Sequence, residues 1–191
     1  IRASVRTAIK EGFQVLGIKN GWKGLVDAET MPLDAMAVSG IIHRGGTILG
    51  TSRTNPYKEA SSTEKAKANF KKLGLDALIA IGGEDTLGAA NKFFKDGLKV
   101  VGVPKTIDND LSGTDVTFGF DTAVNIAMEA IDRLHSTAES HRRIMVVEVM
   151  GRHAGWIALH SGIAGGADLI LIPEVQNKMK EVCEVIQKRI D

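Results

Sequence analysis

Unbroken apolar runs, each closed by glycine or polar residues and followed by a helix-like pattern, constrain the fold of this chain more than any other feature. Examples are residues 77–81 and 169–172, and the run 98–103 is interrupted by one charged residue, Lys99. Because apolar residues in these runs do not alternate with polar ones, the runs predict strands that are buried on both faces. The sequence therefore predicts a doubly wound α/β fold, with a mainly parallel sheet and helices on both of its faces.

The alternation of helix and strand patterns predicts an order of elements along the chain. Strands are expected at residues 13–18, 77–81, 98–103, 144–149 and 169–172. Helices are expected at residues 2–11, 63–73, 86–94, 122–134 and 154–163, with a last helix from about residue 177. Glycines crowd the stretch from residue 12 to residue 50, which predicts tight turns rather than a flexible linker.

Charge and composition narrow the class of protein. Lys and Arg number 24 against 23 Asp and Glu, so the net charge of +1 creates no field for nucleic acid or an anionic membrane. Cys183 is the single cysteine, which excludes an internal disulfide and suits a reducing cytosol, with an inert core residue as the alternative. No apolar run approaches the ~18 residues of a membrane span. We expect a soluble cytoplasmic protein.

A double glycine follows the predicted strand 77–81. The backbone N–H groups of Gly82 and Gly83, with the positive end of the next helix, suit a phosphate chain. Glu84 and Asp85 suit that place only if a hard cation such as Mg²⁺ lies between carboxylate and phosphate. An ordinary tight turn, with the following threonine (Thr86) as a simple helix cap, is the alternative.

A second polar segment, Thr106 to Asp110, leaves the predicted strand 98–103. In an extended segment the i, i+2 spacing places Thr106, Asp108 and Asp110 on the same side. A carboxylate base and a hydroxyl donor are the groups that phosphoryl transfer to a hydroxyl requires. The alternative is an Asx-type turn in which the aspartates accept backbone N–H groups.

A third segment places Arg152 after the predicted strand 144–149, where its planar guanidinium can neutralise charge on a transferred phosphoryl group. Arg142 and Arg143 precede that strand and either grip a second phosphate or form a solvated charge pair. We expect Trp156 in the core. Four histidines lack metal-ligand spacing and are expected at the surface or in supporting positions, namely His135, His141, His153 and His160.

Taken together, these motifs resemble the 6-phosphofructokinase family along essentially the whole chain. The segments that carry the resemblance are Gly82 to Thr86 (GGEDT), Pro104 to Asp110 (PKTIDND), Gly113 to Asp115, Ser140 to Arg143, Met150 to Arg152 (MGR) and Ala164 to Gly166.

The resemblance implies roles for individual residues. Asp108 would be the base on the sugar 1-hydroxyl, while Thr106 and Asp110 would hold the transferred phosphoryl group and the sugar. Fructose 6-phosphate would be bound by Met150, Gly151 and Arg152, with Arg152 also stabilising the transition state. Arg143 would reach the sugar phosphate of a neighbouring subunit, so a homo-oligomer, a dimer or tetramer, is implied. The residues implied in binding the phosphate donor are Arg53, Gly82, Gly83, Asp85, Thr86 and Lys105; Glu84 and Asp85 would bind Mg²⁺.

Two residues imply pyrophosphate as the donor. Members of the family that use ATP generally carry glycine at the position of Asp85, whereas members that use pyrophosphate carry aspartate there and lysine at the position of Lys105. A carboxylate at Asp85 would repel the α-phosphate of a nucleotide, while Lys105 can bind pyrophosphate.

The resemblance also implies a division into domains. Residues 1–138 would be a donor-binding α/β domain without its first strand, and residues 139–191 would begin the sugar-phosphate-binding domain. We therefore expect a fragment of a glycolytic enzyme. The alternatives are an ATP-dependent 6-phosphofructokinase, a protein similar to NAD or lipid kinases, and a non-catalytic phosphate-binding paralogue.

Overall fold

A computed structural model describes residues 1–190, which form two compact units that divide between Val103 and Pro104. The elements of the first unit are α1 (Arg2–Lys10), β1 (Leu16–Ile18), α2 (Trp22–Asp27), β2 (Thr30–Pro32), a 3-10 helix (Pro56–Lys58), α3 (Ala60–Lys72), β3 (Leu78–Gly82), α4 (Glu84–Lys95) and the first part of β4 (Val100–Thr106). The second unit contains the end of β4, then β5 (Phe118–Gly119), α5 (Phe120–His141), α6 (Trp156–Ala164) and α7 (Met179–Ile190).

The main sheet has the strand order β3-β4-β5. α4 connects β3 to β4, and β5 runs parallel to the end of β4, with Lys105 opposite Phe118 and Thr106 opposite Gly119. Strand, crossover helix and parallel strand together confirm the α/β fold class. β1 and β2 form a separate antiparallel pair, in which Leu16 faces Pro32.

Phe93 on α4 is the centre of the core of the first unit. Its side chain has no exposed surface, and its ring lies 5.1 Å from that of Trp22 and 4.8 Å from that of Tyr57. The buried residues packed around these rings are Leu25, Ala66, Ala80, Ala89 and Ala90. Three helices and one strand, β3, therefore share one apolar cluster. The cluster packs α4 against β3, the strand that precedes it.

A polar network joins the 3-10 helix, α3 and the end of α4. Asp96 accepts a hydrogen bond from the Tyr57 hydroxyl at 2.8 Å and pairs with the Lys67 ammonium at 2.9 Å. The hydrogen bond from Lys67 is the main reason that the pKa of Asp96 is lowered, and the same bond raises the pKa of Lys67. Burial, followed by the carboxylate of Asp96, raises the pKa of Tyr57.

In the second unit α5 and α6 pack closely. A side chain at Gly165 would meet Ile131 of α5 at 2.8 Å, so glycine allows the contact. The ring of Phe120, at the start of α5, meets His160 of α6 edge-on at 5.3 Å. Glu174 accepts the Gly155 N–H at 2.7 Å, which satisfies a backbone donor at the start of α6.

The predicted helices correspond to α1, α3, α4, α5, α6 and α7, with ends that shift by a few residues; α5 extends to His141. α2 is the helix that the sequence patterns missed, because Gly21 and Gly24 pointed to turns. A side chain at Gly24 would strike the backbone of Lys19, so this helical glycine serves close packing.

Two predicted strands are wrong. Residues 144–149 and 169–172 have no strand structure, and the described part of the chain provides no paired strand for either run. An apolar run becomes a strand only where a neighbour completes its hydrogen bonds. The predicted strand 13–18 is reduced to β1 and pairs antiparallel, against the expectation of a parallel neighbour.

Burial of the strands on both faces is also overestimated. Ile79 in β3 and Val101 in β4 are 51% and 62% exposed, whereas Leu78 and Val100 pack against the core. Trp156, expected in the core, is 43% exposed, and Cys183 is exposed as well. The four histidines named above are exposed, as predicted.

The domain boundary at residues 138 and 139 stays a prediction. Among the described residues, no helix is both long enough and apolar enough to cross a lipid bilayer.

Candidate active site

The first turn of α4 carries the acidic residues of the double-glycine motif. The helix begins at Glu84, directly after Gly83, and the side chains of Glu84 and Asp85 are exposed. The first intrahelical hydrogen bond in this turn joins the Leu87 N–H to the Gly83 carbonyl at 3.0 Å. The preceding N–H groups therefore have no partner within the helix and, with the helix dipole, present a positive end to an anion.

Gly82 is required by packing. A Cβ atom at residue 82 would lie 2.5 Å from the Cβ of Thr86, a separation that real side chains do not adopt. Thr86 lies inside the first turn of α4 and is not its cap, which corrects the simple-cap alternative. The tight-turn alternative and the anion-binding hypothesis are thus compatible, since the same close turn exposes the N–H groups.

Arg53 lies in an irregular, exposed segment of the first unit. The segment is anchored by Ser52, whose hydroxyl donates to the Asn20 carbonyl at 2.7 Å. The backbone is therefore tied down next to Arg53 while the guanidinium remains in solvent.

The segment after β4 brings Thr106 and Asp108 together. The Thr106 hydroxyl lies 3.5 Å from a carboxylate oxygen of Asp108 and accepts the Asp108 N–H at 3.2 Å. Both residues are half-buried, whereas Asp110 is exposed, as is Lys105 within β4.

The shape of this segment differs from the expected one. Asn109 has a φ of 53°, in the left-handed region, so the segment is not extended and the i, i+2 argument fails beyond Asp108. The Asx-type turn expected as the alternative is also not formed by the aspartates. Among the described residues, neither Asp108 nor Asp110 accepts a backbone N–H. That role falls to Asn109, whose side-chain oxygen accepts the Thr117 N–H at 2.9 Å.

Thr117 is the functional candidate that sequence reasoning missed. Its hydroxyl donates to the Thr106 carbonyl at 2.8 Å, and its side chain is 2% exposed. A signal existed in the asparagine between two aspartates, because asparagine readily adopts the left-handed conformation and bonds to nearby backbone. The partner at residue 117 could not be found from sequence because it depends on the parallel pairing of β4 and β5.

The MGR segment lines a cleft of about 430 Å³ in the second unit. Arg152 is exposed and has a φ of 55°, and the Ala154 N–H donates to the Gly151 carbonyl at 2.8 Å, which closes a tight turn. Gly151 is buried with a φ of 149°, and a side chain there would strike the Ala154 carbonyl. The residues that line the cleft include Val146, Glu148, Met150, Gly151, Arg152 and Pro173.

Arg142 and Arg143 directly follow α5, with Arg142 as its C-cap, and do not precede a strand. Arg142 is left-handed (φ 51°), and the Arg143 N–H returns to the Ala138 carbonyl at 2.9 Å, which satisfies the last carbonyls of the helix. Both side chains are exposed. Within the described residues the side chains of Arg143 and Arg152 form no ion pair, so both guanidiniums are accessible to an anion.

The predicted metal site has two carboxylates, those of Glu84 and Asp85. The described residues contain no group of three His, Cys, Asp or Glu side chains placed to hold an ion. Mg²⁺ commonly binds through one or two carboxylates together with substrate phosphates and waters. The exposed oxygens of Glu84 and Asp85, at a helix end suited to phosphate, therefore fit this ion.

The α/β fold and these motifs are those of a known class of proteins. The family described as Phosphofructokinase matches residues 1–191. The chain belongs to the phosphofructokinase family, which confirms the resemblance drawn from the motifs. It is similar to the pyrophosphate–fructose 6-phosphate 1-phosphotransferase of Streptomyces coelicolor, with 60% identity over 99% of this chain and 56% of that protein. It is also 53% identical to ATP-dependent 6-phosphofructokinase 3 of the same organism, over 96% of this chain and 54% of that protein.

Solved structures agree with the fold. The phosphofructokinase of Saccharomyces cerevisiae superposes with a TM-score of 0.85 at 36% identity, over 98% of this chain and 29% of that chain. The present chain spans about half the length of the curated relatives that it matches.

Proposed function

We propose that the protein transfers a phosphoryl group from pyrophosphate to the 1-hydroxyl of fructose 6-phosphate, giving fructose 1,6-bisphosphate in glycolysis. The single observation that carries the proposal is the Thr106–Asp108 pair at the end of β4, in a chain of the phosphofructokinase family. A carboxylate beside a hydroxyl is the set of groups needed to accept a proton and hold a phosphoryl oxygen.

In the proposed reaction the O–H bond of the sugar 1-hydroxyl breaks, and its proton passes to the carboxylate of Asp108. The hydroxyl oxygen forms a new bond to phosphorus, the bridging P–O bond of pyrophosphate breaks, and inorganic phosphate leaves. The Thr106 hydroxyl, which donates to an Asp108 carboxylate oxygen at 3.5 Å, turns its proton to the transferred group while its oxygen still accepts the Asp108 N–H. Asp110 holds the sugar.

Arginines of the second unit supply positive charge to the phosphates. Arg152, on the tight turn closed by Gly151 and Ala154, stabilises charge on the transferred group, and Met150 and Gly151 bind the sugar phosphate. Arg143 reaches a sugar phosphate held by a neighbouring subunit, so the protein forms a homo-oligomer. The exposure of both guanidiniums, which form no ion pair with any described residue, supports these roles.

The donor roles rest on the start of α4 and on two basic residues. The N–H groups that follow Gly82 and Gly83, together with Thr86, hold pyrophosphate oxygens, and Arg53 and Lys105 neutralise their charge. Glu84 and Asp85 would hold Mg²⁺, which when bound withdraws charge from the phosphate oxygens. The proposed location of the protein is the cytoplasm.

Identity alone does not select the donor, because relatives named for pyrophosphate and for ATP match at 60% and 53%. The exposed carboxylate of Asp85 in the first turn of α4 supports pyrophosphate as the donor, since its charge would repel the additional phosphate of a nucleotide bound at this helix end. The ATP-dependent enzyme is the second candidate and is favoured by the 53% relative. A protein similar to NAD or lipid kinases is not favoured, because the family match covers residues 1–191.

The test is a comparison of donors on the complete gene product. Fructose 1,6-bisphosphate formation is measured with pyrophosphate and with ATP, each with Mg²⁺. We expect kcat/KM for pyrophosphate to exceed that for ATP by at least tenfold. A preference for ATP would replace the donor and keep the sugar-kinase function, whereas no product from either donor would support the non-catalytic paralogue.

A further inference from the structure

The loop between β4 and Asp110 is held by two side chains that have no role in the proposed reaction. The Thr117 hydroxyl donates to the Thr106 carbonyl at 2.8 Å, next to the parallel pairing of Thr106 with Gly119. Thr117 is 2% exposed, so this hydrogen bond is shielded from water. It fixes the last peptide of β4 from the neighbouring strand.

Asn109 fixes the other end of the loop. Its side-chain oxygen accepts the Thr117 N–H at 2.9 Å, and its amide lies 3.5 Å from the Asp115 carbonyl. The backbone of Asn109 is left-handed, a conformation that asparagine tolerates better than other side chains apart from glycine. One residue, Thr117, therefore holds both the carbonyl of residue 106 and the side chain of residue 109.

Asp108 lies between these two fixed points. Its N–H already bonds to the Thr106 hydroxyl at 3.2 Å, so movement of either end would move the carboxylate relative to that hydroxyl. An error of about 1 Å in the placement of a reacting group can cost on the order of 10²-fold in rate.

We propose that Asn109 and Thr117 form a positioning clamp, which orients the Asp108 carboxylate and the Thr106 hydroxyl without touching substrate. The inference rests on the proposed function, in which Asp108 is the base. A positioning residue of this kind affects turnover more than binding, because it acts when the proton moves. Loss of the clamp should therefore lower kcat while leaving the affinity for fructose 6-phosphate almost unchanged.

The first variant is Thr117→Val in the complete gene product, which removes the hydroxyl and keeps the shape. We expect kcat to fall by about 10- to 100-fold and the Kd for fructose 6-phosphate, measured by calorimetry, to change by less than about threefold. Thr117→Ser restores the hydroxyl and should recover most of kcat. Peptides that cover residues 106–117 should exchange amide hydrogen faster in Thr117→Val than in the wild type.

The matched control is Thr63→Val. Thr63 is 8% exposed, and its hydroxyl donates to the Pro56 carbonyl at 2.8 Å, so the substitution deletes the same kind of buried hydrogen bond in the first unit. Both valine variants should lower the thermal midpoint by a similar amount. Only Thr117→Val should lower kcat and speed exchange in residues 106–117.

Two variants of Asn109 test the other half of the clamp. Asn109→Gly keeps the left-handed backbone and removes the acceptor, so it should behave as Thr117→Val does. It also preserves the test if Thr117→Val does not fold. Asn109→Asp keeps an acceptor oxygen for the Thr117 N–H and should retain more of kcat than Asn109→Gly.

The possible failures are distinct. If the wild type makes no product with either donor, the proposed function is wrong. If amide hydrogen exchange in residues 106–117 is the same in Thr117→Val and Asn109→Gly as in the wild type, no clamp exists. If the wild type is active and the two variants keep more than half of its kcat, the clamp is overturned and the proposed function stands. Equal losses of kcat in Thr117→Val and Thr63→Val would also overturn it, because the effect would then be one of stability.

Discussion

In the proposed reaction Asp108 has the most demanding role, because its carboxylate would accept a proton while its own N–H is held by Thr106. We expect Asp108→Asn to lower kcat by ~10²–10⁴ with a smaller change in KM, since a base acts mainly in the transition state. Steady-state kinetics on the complete gene product measures both constants. Asp132→Asn, which removes an exposed carboxylate from α5, is the control and should behave as wild type. An Asp108→Asn enzyme with more than half of wild-type kcat would remove Asp108 from this role.

The candidate chemical residues were easier to place on the fold from sequence than the residues that hold them. The segment around Asp108 lies at the end of β4 and the double glycine lies at the end of β3, as the motifs predict, while the catalytic and binding roles stay predictions. Thr117 could not be predicted, since its value arises from the approach of β5 to β4 and from burial. The shape of the Thr106–Asp110 loop was also mispredicted, because the left-handed Asn109 interrupts the alternation that an extended chain would have.

At the scale of elements, α4 shows how one helix face holds the first unit together. Phe93 is fully buried between the rings of Trp22 and Tyr57, whereas the adjacent Phe94 is 62% exposed. We expect Phe93→Ala to lower the free energy of unfolding by about 3–5 kcal/mol, from lost burial and the cavity that remains. Phe94→Ala, the same substitution one residue later, should change it by about 0.5 kcal/mol or less.

The measurement is urea unfolding of the complete gene product with Trp22 as the one tryptophan retained and all others, Trp156 included, replaced by phenylalanine, so that the fluorescence reports the first unit. Trp22 lies against Phe93 and senses its loss directly. Equal destabilisation by the two alanine variants would contradict the arrangement of α4 described above.

The elements that were predicted well are helices, whose hydrogen bonds are all made within one segment of the chain. Helices such as α1 and α4 satisfy their own hydrogen bonds, so periodicity along the chain identifies them. A strand depends on a partner that its own sequence does not specify, which is why residues 144–149 were assigned wrongly from apolar content alone. The exposed side chains in that run, with Val146 at 91%, show that apolarity by itself does not produce burial.

At the scale of the whole molecule, the family could be predicted from several motifs spread along the chain, and the match over residues 1–191 confirms it. The choice of phosphate donor is harder, because relatives that differ in their named donor are similar to this chain at 60% and 53% identity. Most of that identity maintains a shared fold. In the proposed function the donor is decided by a few residues at the donor site. Asp85 is the main candidate, because members of the family that use ATP are expected to carry glycine at this position.

We therefore expect Asp85→Gly, alone or with Lys105→Gly, to shift the donor preference of the complete gene product toward ATP. Two like charges ~4 Å apart at an effective dielectric constant near 20 repel by roughly 4 kcal/mol, which solvent and Mg²⁺ then reduce. Even half of that corresponds to more than a tenfold change in kcat/KM. Pyrophosphate has no α-phosphate and would avoid this repulsion, while Lys105 would attract its charge.

The control for this substitution is Asp76→Gly. Asp76 is an exposed carboxylate that precedes β3, whereas Asp85 follows it, so the same change of residue and charge occurs at the opposite end of one strand. A strand of this kind rises about 3.3 Å per residue, which places Asp76 well beyond the range of a contact with a phosphate at the start of α4. The ratio of kcat/KM values for the two donors should move at least tenfold in Asp85→Gly and stay constant in Asp76→Gly. A constant ratio in both variants would show that the donor is selected elsewhere in the molecule.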